Sequence, residues 1–315
     1  MRQDAALPAP FHSGVADAPP GVVAVWVQAG AARIRLASWK AGDKGTVLLL
    51  PGRTECIEKY GRAATDLLAR GFSVITIDWR GQGLADRALP DRLMGHVGDF
   101  SEYQQDLDAM LAEAARLDLP RPYYMVSHSM GGCIALRGLM RGLPVAAAVF
   151  SAPMWGIAMA PWQKPVAAMV SAVAGPMRLT GRYAPSTGPA VYLTTAPFAG
   201  NVLTTNREMW DYMRRQVVEV PELALAGPSI GWVTAALAEC AALAALPAPQ
   251  VPVICALGTA EKVVAASPIH LRMAGWARGQ LDLYPGAEHE IMMEDPATRS
   301  RFFDRAAALF QAHRG

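Results

Sequence analysis

Charge is scarce in this sequence: Lys, Arg, Asp and Glu make up 18% of its 315 residues, and the formal net charge is only +2. The basic residues are scattered, with no run that would track a phosphate backbone, which argues against a nucleic-acid partner. Cysteine is scarcer still. Cys56, Cys133, Cys240 and Cys255 stand far apart without a C-x-x-C pair. Neither a structural zinc site nor a disulfide framework is expected, and the thiols read as free and buried in a reducing compartment. No stretch reaches the ~18 uninterrupted apolar residues of a membrane span. The Ala-rich run around Val166–Val173 comes nearest, and Gly175, Pro176 and Arg178 cut it off. Met1 to Pro20 carries Asp4 and Asp17 and lacks the basic-then-apolar order of a signal peptide. The expectation is a cytoplasmic protein, at most peripheral to a membrane.

Apolar residues are plentiful, at 52% of the chain, so a large core can form. Short β-rich runs alternate with amphipathic helical runs, the pattern of an α/β protein with a mostly parallel sheet flanked by helices. Val22–Gln28 and Arg33–Trp39 read as two opening strands, expected to pair antiparallel. Thr46–Leu50, Ser73–Ile77, Tyr123–Val126 and Val145–Phe150 follow, with Val253–Leu257 and Leu281–Tyr284 near the end. Helical spacing runs from Tyr60 to Leu68, from Phe100 to Ala114, over Met130–Arg141, near Ile269–Ala277, and through Phe302, Ala306, Leu309 and Phe310. Asp99 and Glu102 are placed as a variant capping box for the second of these. The rhythm breaks between about Pro153 and Leu246, a stretch rich in Met and Pro with four of the eight tryptophans. The expected organisation is a core over residues 1–152 and 247–315, interrupted by a helical cap over 153–246.

A serine nucleophile needs a base beside it, an acid to orient that base, and donors for the oxyanion. Strand Tyr123–Val126 runs into Ser127-His128-Ser129-Met130-Gly131-Gly132 and then a helix. That is the strand–turn–helix setting of a nucleophile elbow, with Ser127 at the usual first glycine and Ser129 as the nucleophile. His289 follows the last strand and is the expected base. Glu261 is the only acid in the turn after Val253–Leu257 and is the expected orienting acid. His128, next to the nucleophile, is expected to point away from it, and His96 reads as either a pocket residue or a structural one. The oxyanion donors would be the backbone N–H groups of Met130 and Arg53. The Arg53 side chain has two readings, a contact with a substrate phosphate or carboxylate and a salt bridge to Glu55, of which the salt bridge is the plainer. Asp78 to Gly83 has two glycines but neither a full dinucleotide nor a Walker pattern. It reads as a turn in which Asp78 and Arg80 bond nearby backbone or each other. No cofactor and no metal ion is implied.

These motifs together resemble the lysophospholipase and monoacylglycerol lipase group of α/β-hydrolases, which is also grouped with serine aminopeptidases. The likeness is carried by Leu50 to Glu55, Ile77 to Gly83, Gly95-His96-Val97 with Phe100 and Tyr103, His128 to Gly132, Gly258 to Val264, and Gly286 to Glu290. It departs from the group's common pattern at Pro51, where His is usual, at Glu261, where Asp is frequent, and at Ser127. The resemblance implies the α/β-hydrolase fold, a triad of Ser129, Glu261 and His289, and a helical cap over it. The substrate would be a lysophospholipid or monoacylglycerol ester. Cap residues, among them Met154, Trp155 and Trp162, would line an acyl channel or touch a bilayer. An esterase, lactonase or peptidase acting on a small non-lipid substrate is the alternative, and a non-catalytic binding protein is a further one.

Overall fold

The computed structural model describes residues 6–314, so the first five residues of the Met1 to Pro20 reading lie outside the described residues. Among the described residues, strands β1 (Leu7–Pro8), β2 (Val23–Ala29), β3 (Ala32–Trp39), β4 (Thr46–Leu50), β5 (Ser73–Asp78), β6 (Tyr123–His128), β7 (Ala148–Ser151), β8 (Val253–Gly258) and β9 (Gly279–Tyr284) build one sheet. Its spatial order is β1-β2-β3-β5-β4-β6-β7-β8-β9. β2 and β3 pair antiparallel, as expected, and β3 meets β5 antiparallel. From β5 onwards every pair is parallel. This is the α/β-hydrolase fold. β7 begins later than the apolar run suggests, because the chain first makes a tight bend in which Val145 N–H donates to Leu143 C=O at 2.8 Å.

The sheet is buried on both faces, which is why its central strands read as continuous apolar runs. Alternation still sorts the side chains. Leu48, Leu50, Ile75, Ile77, Met125 and Phe150 enter the core on one face. Val47, Leu49, Val74, Tyr124, Val126 and Val149 enter the core on the other. The long helix Ser101–Arg116 covers the first face. Glu102 reaches back to the N–H groups of Gly98 and Asp99 at 3.1 Å, and Asp99 accepts from Ser101 at 2.7 Å. This is half of the expected capping box: the N-cap is Phe100, and Glu102 N–H donates to the Asp99 backbone C=O and not to its side chain. Between β7 and β8 the chain adds no strand to the sheet. It carries helices Gln163–Ala174, Arg207–Glu219 and Ile230–Ala244. Asn206 and Ser229 cap the last two by accepting from Met209 and Trp232 N–H at 3.0 Å.

Charged side chains tie the turns beneath the sheet. Arg35, fully buried, bridges Glu58 and Asp78 at 2.7 Å each. Asp78 also accepts from Leu84 and Ile57 N–H at 2.8 Å, as a turn residue would. Arg80 instead pairs with Asp106 at 2.7 Å and Glu102 at 2.9 Å. Asp78 and Arg80 therefore do not bond each other: each faces a different neighbouring element.

The closing helix, Pro296–Ala312, seals the second face. Phe310 is fully buried, stacks on Tyr124 with centroids 4.6 Å apart and meets Phe72 edge-on at 5.6 Å. Phe310→Ala removes that ring from its contacts with Tyr124 and Phe72 and leaves a cavity in the core. The expected cost is about 3–5 kcal/mol of unfolding free energy, measured by urea denaturation.

Candidate active site

Parallel strands deliver their carboxyl ends to one edge of the sheet, and the order reverses at β4, which lies between β5 and β6. A crevice at that edge is where such sheets hold ligands. Ser129 leaves β6 there with φ 48° and ψ −118°, a backbone state that is strained for any residue with a side chain. The surroundings enforce it: Ser129 N–H donates to Ser151 C=O at 3.1 Å, and Ser129 C=O accepts from Gly132 at 2.9 Å and Met154 at 2.8 Å. Gly131 is required at its place, since a Cβ there would lie 2.4 Å from the carbonyl oxygens of both Leu50 and Pro51. Ser127 is completely buried at the position where the motif commonly has glycine.

His289 and Glu261 come from the loops after β9 and β8. His289 Nδ1 lies 2.8 Å from Glu261 Oε2, and both side chains are almost wholly buried. Glu261 Oε1 accepts from Val263 and Val264 N–H at 2.6 and 3.0 Å. Burial alone would raise this carboxyl's pKa. The hydrogen bond and charge of His289 and the two backbone donors outweigh burial and hold it below the ordinary value. An ionised Glu261 accepting at Nδ1 leaves Nε2 of a neutral His289 as the ring's acceptor.

Ser129, His289, Arg53 and Met154 line one cavity of about 410 Å³, with walls that include Val191, Leu193, Met213, Val217, Leu225 and Trp232. Its size and apolar walls suit a small ligand or an acyl chain. The N–H groups of Arg53 and Met130 have no acceptor among the described residues, as donors reserved for an oxyanion would not. Two cap residues expected at the site lie elsewhere. Trp155 is buried in the core, donates to Gly132 C=O at 3.1 Å, stacks on Trp276 and lines a separate cleft of about 570 Å³. Trp162 is 67% exposed and borders a separate hollow lined by Val166, Val170, Pro185 and Ile230. Trp155 follows a turn that directs it down onto the sheet, and Trp162 precedes a helix whose apolar face looks outward. His96 is structural in its contacts, with Nδ1 2.8 Å from Ser229 Oγ.

Glu55, Lys59 and Glu290, which also line this cavity, belong to a cluster that the motifs did not reveal. Lys59 Nζ stands 2.6 Å from Glu55 and 2.6 Å from Glu290. Tyr60 O–H donates to Glu55 at 2.5 Å, and Gly52 N–H donates to the same oxygen. His128 completes it. The ring is fully buried, with Nε2 3.3 Å from Glu290 and 3.5 Å from Glu55, and its centroid is 4.7 Å from that of His289. His128 thus packs against the candidate base, and it is not among the residues that line the cavity of Ser129. Glu55 also takes Lys59 as its partner in place of Arg53. Glu55, His128 and Glu290 approach closely enough to hold a metal ion, but the Lys59 ammonium is already bound to both carboxylates. A sequence signal for this cluster existed only as Glu55 and Lys59 at a spacing of four residues and an acid directly after His289.

With Lys59 alone, two buried carboxylates would leave one uncompensated negative charge, and a protonated His128 cancels it. Burial alone would lower the His128 pKa; Glu290 and Glu55 outweigh it and raise the pKa above the ordinary 6.5. The stability from this charge is therefore fully present below the unfolded pKa of about 6.5 and is lost as pH rises through the higher folded pKa. Calorimetric melting on the alkaline side of pH 6.5 should show Tm falling in the wild type and a shallower decline in His128→Gln. Parallel slopes would show that His128 does not carry the charge.

Comparison with known proteins agrees with this architecture. The sequence model of a hydrolase family described as Serine aminopeptidase, S33 matches residues 41–296. Lysophospholipase L2 of Escherichia coli (strain K12) is 33% identical over 277 residues, 85% of this chain and 80% of that protein. Probable lysophospholipase L2 of Haemophilus influenzae is 26% identical over 256 residues, covering 80% of this chain and 79% of that protein. Among solved structures, a soluble variant of monoglyceride lipase from Saccharomyces cerevisiae, in complex with a substrate analogue, superposes with a TM-score of 0.72. It is 20% identical, and the match covers 97% of this chain and 100% of that one. The monoacylglycerol lipase of Paleococcus ferrophilus superposes at 0.68 with 18% identity, over 89% of this chain and 99% of that one. At such identities the two structures speak for the fold alone, whereas the family match spans most of the sequence. The chain belongs to the serine aminopeptidase S33 family of α/β-hydrolases.

Proposed function

We propose that this protein is a serine hydrolase of lipid carboxylic esters, lysophospholipids or monoacylglycerols, acting through an acyl-enzyme. The observation that carries the reading is a strained Ser129 sharing one apolar cavity with a His289 whose Nδ1 is held 2.8 Å from Glu261. The names of the relatives support the lipid class. In the first step Ser129 Oγ attacks the ester carbonyl while His289 Nε2 takes its proton, and the N–H groups of Met130 and Arg53 receive the oxyanion. His289, now an imidazolium stabilised by Glu261, gives that proton to the leaving glycerol alcohol. Water then repeats the sequence to release the fatty acid. Glu290 and Glu55 also line the cavity but are taken up by Lys59 and His128, so they are not the acid.

A fluorophosphonate probe should label the wild type and leave Ser129→Ala unlabelled. Equal labelling of both would mean another nucleophile. Glu261→Gln should lower kcat on a lysophospholipid by roughly 10⁴, the effect of a triad Asp→Asn change; unchanged turnover would assign the acid elsewhere.

The cap's outer face supports peripheral contact with a lipid surface. Among the described residues no helix is long and apolar enough to cross a membrane. Yet Trp162, Val166, Met169, Val173 and Met177, at helical spacing around Gln163–Ala174, are all exposed, Met169 and Met177 by 62% each. An apolar stripe on one helix face is how an interfacial helix seats itself. Sedimentation with phosphatidylcholine–phosphatidylglycerol vesicles should carry the wild type down, and Met169→Glu with Met177→Glu should leave it in the supernatant. Equal sedimentation of both proteins would place the contact elsewhere.

A further inference from the structure

Arg53 is unlike the other enclosed arginines. Arg35 and Arg80 each lie against carboxylates, and Arg87 donates to three backbone carbonyls, those of Gly83, Ala85 and Arg92. Arg53 has no carboxylate within salt-bridge distance among the described residues. One Nη2 proton goes to Ala226 C=O at 2.6 Å, and Nε, shut off from water, has no acceptor. Guanidinium carries five N–H donors in a fixed fork, so most of this one's capacity is unused. The group is nevertheless housed. Trp232 lies under it with 5.1 Å from Cζ to the ring centroid, and Gly95 leaves the room it occupies, since a Cβ there would come within 2.5 Å of Nη2. Arg53 lines the same cavity as Ser129 and His289.

We propose that the Arg53 guanidinium reads the phosphodiester of a lysophospholipid in this cavity and so sets a preference for lysophospholipids over neutral monoacylglycerols. The inference rests on the lipid-ester reading above and adds which ester is chosen and by what group. Its geometry follows from one residue doing two jobs. The Arg53 N–H is placed for the ester oxyanion, and its side chain leaves that point by a methylene stem comparable in length with the glycerol that separates ester carbonyl from phosphate. A guanidinium fork matches a phosphate's paired oxygens, and a charge-assisted bond formed away from bulk water is among the stronger ones. A neutral monoacylglycerol presents only a hydroxyl there and leaves the cation's desolvation uncompensated. In agreement, burial without a counter-charge pushes the Arg53 pKa down to about 10; it stays protonated at neutral pH and is poised to gain from an anion.

The experiment compares kcat/KM on lysophosphatidylcholine and on the monoacylglycerol of the same acyl chain, for the wild type, Arg53→Met and Arg53→Lys. The ratio of the two constants should fall roughly 10- to 100-fold in Arg53→Met, the worth of a hydrogen bond to a charged group, and recover in part in Arg53→Lys. Calorimetric binding of dodecylphosphocholine should weaken by a similar factor, and binding of laurate should not move. An unchanged ratio with unchanged dodecylphosphocholine binding would make Arg53 only a latch to Ala226. Weakened binding of laurate alone would assign it to the released carboxylate, which also overturns the proposal. Because the binding arm needs no turnover, a wild type that cleaves neither lipid would defeat the lipid-ester reading while leaving the Arg53 site separately decided.

Discussion

One ammonium group, Lys59 Nζ, stands 2.6 Å from Glu55 and 2.6 Å from Glu290 in a place almost closed to water. Three separate loops depend on that contact. Glu55 belongs to the turn after β4 and fixes its backbone by accepting from Gly52 N–H. Glu290 immediately follows His289. His128, pressed against both carboxylates, immediately precedes Ser129. The groups proposed as oxyanion donor, base and nucleophile are thus each one or two residues from a member of a single ionic cluster. Such a cluster is weak evidence of net stability, because desolvating the charges offsets most of their attraction. Its value lies in geometry: each charge satisfies the others in one arrangement only, and displacement of any loop would leave a buried charge without a partner.

The segment between β7 and β8 joins the same framework from the other side. Glu290 N–H donates to Leu203 C=O at 2.8 Å. The Glu294 carboxylate accepts from Thr205 O–H at 2.5 Å and from Glu288 N–H at 2.9 Å. The loop that carries His289 is therefore clamped between the core beneath and the segment 201–205 above. The helix Gln163–Ala174 lies apart from that loop and carries exposed Val166, Met169 and Val173.

Much of this was legible in the residues. Buried parallel strands announce themselves as apolar runs ending in glycine or proline. The elbow is a local pattern, strand then small residues then helix, and its requirements are all within a few positions of Ser129. Glu261 and His289 could be placed because each follows a strand whose order in the sheet the fold dictates. Side-chain partnership was a different matter. Glu55 looked like the natural mate of Arg53 two residues away, yet the turn at Thr54, with φ 66°, sends the two side chains to opposite sides. Glu55 goes down to Lys59, and Arg53 goes up to Trp232 and the carbonyl of Ala226. Trp155 and Trp162 misled for a related reason. Tryptophan enrichment in a cap says that something is covered, but not whether the ring faces the cavity, the sheet or the outside.

Backbone strain gathers at this same edge. Thr54, Ser129 and Ala152 take φ of 66°, 48° and 42° in the turns after β4, β6 and β7. None of them is glycine, so each conformation costs of order 1–3 kcal/mol and persists only where its surroundings over-determine it. They do so by hydrogen bonds that run across strands: Thr54 N–H to Gln82 at 3.0 Å, Ser129 N–H to Ser151 at 3.1 Å, and Ala152 N–H to Ala256 at 2.9 Å. Each strained turn is therefore held by an element other than its own. Relaxing any one of them would free local energy but would also unpair a buried polar group on a neighbour, which costs a similar amount. The posture of Ser129 is in this sense a property of the whole carboxyl edge of the sheet. The ionic cluster below it removes the remaining way out, a collective shift of the loops.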